Sequence, residues 1–128
     1  MNLKLALKYG GDPNFFDKSV GIPIIFYASH PYSIEKFNLL IAAGADIEKK
    51  SISASTALLE SALFNQYKKA YILLQLGADY KIQPEHGMTI KWIIENNNVD
   101  EKSDEYKWRK KVIKFLQKKG VRFNIKTK

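Results

Sequence analysis

The sequence predicts an all-α solenoid of stacked helix pairs, and three observations carry that reading. One phrase is written twice: Phe37-Asn38-Leu39-Leu40-Ile41-Ala42-Ala43-Gly44-Ala45-Asp46 returns as Ala70-Tyr71-Ile72-Leu73-Leu74-Gln75-Leu76-Gly77-Ala78-Asp79, with Gly44 and Gly77 at the same place in each copy. Their separation, a period of about 33 residues, is the mark of a helix pair repeated along one axis. Each copy is an apolar helical run stopped by glycine, which takes the left-handed conformation of a helix C′ position without the cost that a Cβ brings. A turn-forming slot also recurs at Gly21, Ala54 and Gly87, one such period apart each time.

Taken in order, Leu3 to Tyr9 is apolar at 3, 5, 6 and 7 and closes on Gly10-Gly11-Asp12-Pro13-Asn14, so the chain opens on the second half of a repeat. Half a repeat leaves one face without its covering helix. Either a preceding segment or a partner covers it, or it is a degenerate cap. Two regular repeats follow, with finger-like turns expected near 17–21 and 50–54 and a third near 83–87. The last unit is longer, because Gly77 and Gly120 stand further apart than one period. Its surplus, Asn96 to Glu105, is polar and aperiodic and reads as an exposed inner loop, either inert or beside a binding face. The closing helix, 106–119, turns Trp108, Val112, Phe115 and Leu116 inward and Lys107, Arg109, Lys110, Lys111, Lys114 and Lys118 outward. Residues 1–128 thus read as a single domain, with half a repeat and about three helix pairs.

Composition removes several classes of function. Among 128 residues there is no cysteine, which excludes a disulfide framework, a thiolate zinc site and a cysteine nucleophile. No apolar run reaches the roughly 18 residues of a membrane span. The first eight residues are too short for a signal peptide, so the expected compartment is the cytoplasm, or the periplasm if a signal or lipoprotein segment ahead of Met1 has been removed. Only two histidines are present, His30 and His86; they fall in different repeats, and neither belongs to a metal-ligand spacing. With no nucleophile elbow and no phosphate-cradling glycine loop, the expectation is no enzyme, no metal and no cofactor.

Charge is uneven. Residues 1–105 hold 11 basic against 13 acidic side chains, whereas residues 106–128 hold 10 basic and none acidic. A solvated terminal cap explains such an end, and so does an acidic protein, an anionic lipid or a nucleic acid bound there. Nucleic acid is disfavoured, because Trp108 and Phe115 fall on the inward stripe and leave no stacking platform among the lysines.

The slots at Gly21-Ile22-Pro23, Ala54-Ser55-Thr56 and Gly87-Met88-Thr89, together with the Leu-Gly-Ala-Asp type of close, resemble the ankyrin repeat over residues 3 to about 124. Departures are visible. Pro23-Ile24 and Thr56-Ala57 replace the family's Thr-Pro, Thr89-Ile90 keeps only the threonine, and Phe26, Leu59 and Trp92 fill its histidine slot. The resemblance implies a finger, a short first helix and a longer antiparallel second helix per repeat. It also implies a concave wall of finger tips and first helices that grips one protein partner, the chain being a monomer or a heterodimer with that partner. By register the wall is Ile22, Tyr27, His30, Ile52, Ser53, Ser55, Leu63, Phe64, Tyr67, His86, Met88 and Trp92. Several are apolar where solvent would favour polar residues, as at partner sites.

Small, Lys- and Asn-rich chains of this kind also resemble the bacterial ankyrin-type immunity proteins that accompany type VI secretion phospholipase effectors. That likeness implies a protein without chemistry of its own that binds a cognate lipase-type toxin through Ile22, Ile52, Leu63, Phe64 and Met88. Members acting against a periplasmic lipase carry a signal or lipoprotein segment ahead of the first repeat, which the half-repeat start would match. The alternative is a basic adaptor acting through residues 106–128.

Overall fold

In the computed structural model, residues 11–31 and 34–125 are described. The opening half repeat expected over 3–9 lies outside the described residues, as do Tyr32 and the last three positions. Among the described residues six helices follow one another: α1 (Ile24–Ser29), α2 (Ile34–Ala42), α3 (Ala57–Leu63), α4 (Tyr67–Gln75), α5 (Ile90–Asn96) and α6 (Asp104–Lys118). The first finger is a small antiparallel hairpin, β1 (Phe16–Asp17) against β2 (Ile22–Pro23), with Phe16 opposite Pro23.

The helices form two layers. First helices α1, α3 and α5 pack side by side, with α3 in the middle, while each of α1 and α3 also packs on its own second helix. The closing helix α6 lies chiefly against α4. The core between the layers is Phe26, Phe37, Leu40, Leu58, Leu59, Leu73, Leu74, Ile90, Ile93, Ile94, Val112 and Leu116, with Ala28, Ala57, Ala62 and Ala70 at the close approaches. Fully burying a Leu or Ile side chain is worth roughly 1.5–3 kcal/mol. A six-residue helix such as α1 is too short to be stable alone, so its helicity comes from this packing.

The sequence period is written into the backbone. Gly44, Gly77 and Gly120 end α2, α4 and α6 with φ of +90°, +93° and +96°, and the finger slots at 21, 54 and 87 have φ of +75°, +62° and +77°. Two of those finger slots are glycine; the third is Ala54, which carries a Cβ into the left-handed region. Between fingers, the Ile52 N–H donates to the Gly21 carbonyl at 2.9 Å and the Glu85 N–H to that of Ser53 at 3.4 Å. Beyond the second helices, the Asp46 N–H donates to Asn14 Oδ1 at 2.6 Å and the Asp79 N–H to Glu48 Oε2 at 3.0 Å. Each repeat is therefore tied to the next by side chains acting on exposed loop amides.

The last repeat corrects the expectation of a ten-residue loop. Seven residues (97–103) join α5 to α6 where three (64–66) join α3 to α4, and α6 has 15 residues against nine in α4. Most of the insertion is thus an extra turn and a half at the start of α6. Ser103 caps it, its Oγ accepting from the Tyr106 N–H, and Asp104 and Glu105 sit favourably at its positive end. The extension also serves α4. Glu105 Oε2 accepts from the Tyr67 N–H at 2.8 Å, satisfying an orphan amide in α4's first turn. The loop is stitched down as well: Asn97 Nδ2 donates to the Leu63 carbonyl at 3.0 Å, and Asn65 Nδ2 to that of Asn98 at 3.1 Å.

Phe26 and Leu59 are buried in the slot where the resembled family has histidine, so packing does replace polar contacts there. The exchange leaves a trace, because the Thr56 hydroxyl is buried at the start of α3 with no hydrogen-bond partner. Thr89, in the same slot one repeat later, caps α5 by accepting from the Trp92 N–H at 3.2 Å.

The backbone slots and the caps can each be tested by substitution. Replacing Ala54 by Gly removes a left-handed Cβ cost of roughly 1–2 kcal/mol and restores only part of it as unfolded-chain entropy, so the variant should gain about 0.5–1 kcal/mol in urea unfolding. Gly87→Ala, where an added Cβ meets nothing within 4 Å, should lose a similar amount through backbone strain alone. In the same assay Thr56→Val should be neutral or stabilising, since it deletes an unsatisfied buried hydroxyl, whereas Thr89→Val should cost about 1 kcal/mol. Equal losses for the two threonine variants would contradict this account.

Candidate protein-binding surface

The fingers and the first-helix layer carry large side chains that the core does not absorb. Ile52, at the tip of the second finger, is 80% exposed although its N–H is fixed on Gly21. Its side chain lies over that glycine: a Cβ built on Gly21 would stand 2.8 Å from Ile52 Cγ2, so this slot needs glycine for space as well as for φ. Phe64, at the end of α3, is 42% exposed and packs, tilted, against the His30 ring at 4.2 Å between centroids. Tyr27 on α1 and Trp92 on α5 are also open to solvent.

These side chains are held by specific contacts. Tyr27 donates its hydroxyl to Asp17 Oδ2 at 3.1 Å, and the other carboxylate oxygen of Asp17 accepts from the Ser19 hydroxyl and N–H, so Asp17 ties helix α1 to the first finger. The Ser19 hydroxyl foremost, with Tyr27, holds the Asp17 carboxyl below its usual range, while desolvation and that carboxylate push the Tyr27 phenol up. Behind the His30–Phe64 pair lies Lys69, 2% exposed, whose ammonium donates to the His30 carbonyl at 2.7 Å. Burial, then the Lys69 charge, push the His30 imidazole below its usual value, which keeps the ring neutral against Phe64 at physiological pH. Burial also lowers Lys69, and the Glu105 carboxylate opposes that shift.

The remaining wall positions divide into edges and interior. Ile22, Leu63 and Met88 are half-buried and pack against the core, so each shows only an edge to solvent. Ser53 is half-buried, its hydroxyl 3.1 Å from that of Ser51. His86 is exposed at the third finger, where its Nδ1 accepts from the Met88 N–H at 3.1 Å and shapes the turn. His30 and His86 thus have separate local duties. Among the described residues no group of three His, Cys, Asp or Glu side chains is placed to hold a metal, and no helix is long and apolar enough to cross a membrane.

Three expectations need correction. Tyr67 is 0% exposed: it opens α4, where its N–H is held by Glu105 of the extended α6. Its hydroxyl is buried without a hydrogen-bond partner, and burial raises its pKa despite the neighbouring Arg109. Ser55 is buried because the finger folds back on itself, the Ser55 N–H donating to Ser51 Oγ and the Ser55 carbonyl accepting from the Ser51 N–H. Arg109 is not on the wet face of the closing helix. It reaches inward, its Nη2 donating to the Ile94 carbonyl at the end of α5 at 2.7 Å. Lys107, Lys110, Lys111, Lys114 and Lys118 are exposed as expected.

The structure adds residues that the register alone missed. Glu60, one period after Tyr27, is half-buried on α3, and burial raises its pKa, so a carboxyl of reduced acidity sits in the middle of the wall. Phe15, exposed beside the first finger, extends the apolar surface at the other end.

No protein-family model and no curated protein sequence matches the chain. Among 117 solved chains that do match in structure is the ankyrin repeat domain of Bcl-3, described as a unique member of the IkappaB protein family. The likeness has a TM-score of 0.69 at 22% sequence identity and covers 89% of this chain. It covers 44% of the Bcl-3 chain, so this protein spans less than half of that domain's length. Together with the helix pairs and the periodic glycine slots, this shows that the chain is a stack of helix pairs with the ankyrin repeat fold.

Proposed function

We propose that this protein is a non-catalytic binding module that grips one protein partner with its finger and first-helix wall, and that the partner is an antibacterial toxin of the lipase class, which it neutralises. The carrying observation is the bare apolar side chain of Ile52 on a hydrogen-bonded finger, with Phe64, Tyr27 and Trp92 exposed in the same layer. Rigid aromatic and aliphatic anchors on a preordered backbone lose little entropy on binding and are the usual centres of binding energy. The toxin assignment rests on the resemblance to ankyrin-type immunity proteins, and the wall supports it only in offering an apolar seat for a protein. Neutralisation would be steric, by covering the lipase active site or its membrane-binding surface.

Purified chain mixed with the product of the neighbouring gene tests both levels. Binding should be nearly indifferent to salt, because burial of Ile52 and Phe64 is screened little. Phe64→Asp should weaken it at least about 30-fold, since it puts an unpaired carboxylate where an anchor was buried, and the exposed site lets the fold survive. A complex that forms without loss of lipase activity would leave the binding module standing and remove the toxin assignment. A Phe64→Asp chain that binds and protects as well as the parent would remove the wall itself.

A further inference from the structure

The outer face of α6 is a second surface, independent of the wall. Lys107, Lys111, Lys114 and Lys118 recur at intervals of four, three and four residues, which places them on one stripe about 16 Å long on the helix. Lys110 stands beside the stripe, Lys119 and Arg122 extend it past the helix end, and all seven side chains are exposed. No Asp or Glu occurs from 106 to 128. Lys107 meets Asp104 at 4.0 Å, but both side chains are open to water, so the pair neutralises little of the ridge.

Below the ammonium groups is a layer of aromatic rings. Trp108 packs against Tyr71 at 5.6 Å, and Tyr71 against Phe115 at 6.2 Å. Lys111 leans over Trp108 at 4.3 Å, Lys110 over Tyr106 at 4.9 Å, and Lys119 over Phe115 at 5.6 Å. These rings are half-buried.

We propose that this ridge docks on an anionic lipid bilayer. Four features favour a bilayer over a nucleic acid or an acidic protein. The surface is one straight helix edge, which suits a plane, whereas non-specific binding of a nucleic-acid strand uses a basic groove that tracks the backbone. Lysine supplies every charge on the helical stripe, and Lys is a hydrated point charge suited to a diffuse field, whereas Arg is the residue of paired carboxylate recognition. Arg109, the helix's one arginine, is spent inward on Ile94. Tyr106 and Trp108 lie half-buried beneath lysines, and Tyr and Trp are the side chains that settle at a headgroup boundary. Because Val112, Ile113 and Leu116 are buried in the fold, α6 rests on the surface and does not insert. The contact is therefore electrostatic and reversible, and the wall on the other layer stays free.

Sedimentation of the full chain with lipid vesicles tests this. With vesicles of phosphatidylcholine and phosphatidylglycerol the chain should sediment at about 0.1 M salt and be released at about 1 M, where the screening length falls from roughly 10 Å to 3 Å. Vesicles of phosphatidylcholine alone should not hold it. Lys110→Ala with Lys114→Ala should weaken binding roughly 30-fold, each lysine near an anionic surface contributing about a factor of five. Alanine keeps the helix, and an unchanged circular dichroism spectrum would verify that. The proposal is overturned if the chain stays in solution with anionic vesicles at about 0.1 M salt, if the double variant binds as the parent does, or if duplex DNA in the same buffer competes the chain off the vesicles.

Discussion

No helix pair in this protein can cover its own apolar surface. A first helix such as α3 packs against α1, α4 and α5, and its residues Leu58, Leu59, Ser61 and Ala62 are buried. That requirement sets the shape of everything else. The glycine slots keep successive pairs in register, and the amide-to-side-chain bonds between loops fix their spacing. The slot that holds buried Phe26 and Leu59 holds Trp92 on α5, 44% exposed.

The fold was legible in the sequence because its constraints are backbone constraints. A residue in the left-handed region at a fixed period can hardly be written with anything but glycine, and Ala54 was readable as the same slot only because Gly21 and Gly87 flank it at equal distance along the chain. The exposure of Ile52, Phe64, Tyr27 and Trp92 was legible too, since these residues stand at finger and first-helix positions. Tyr67, Ser55 and Arg109 were not. Their placement depends on where α6 begins, on how the second finger folds back, and on which way one long side chain turns. The aperiodic run 96–105 concealed the first of these, because its last residues are polar for a reason other than solvent: Ser103 caps a helix and Glu105 caps another one.

The added turns of α6 have an electrostatic use. Lys69 is a buried cation on α4, and its partners come from distant parts of the chain: the His30 carbonyl from one repeat earlier and the field of Glu105 from one repeat later. A buried charge persists only when it is both paired and hydrogen-bonded. The insertion in the last repeat thereby places a carboxylate whose field favours the Lys69 cation, itself hydrogen-bonded to the His30 carbonyl.

The chain has two tryptophans, and the fold has put one on each of its surfaces. Trp92 belongs to the first-helix layer and is open to water, whereas Trp108 sits under Lys111 and Lys68 on the outer helix. Indole emission shifts with the wetness of its surroundings, so the protein carries a native optical label for each face. Single Trp→Phe variants would separate the two, and occupancy of the wall and of the ridge could be read in one cuvette without adding a dye.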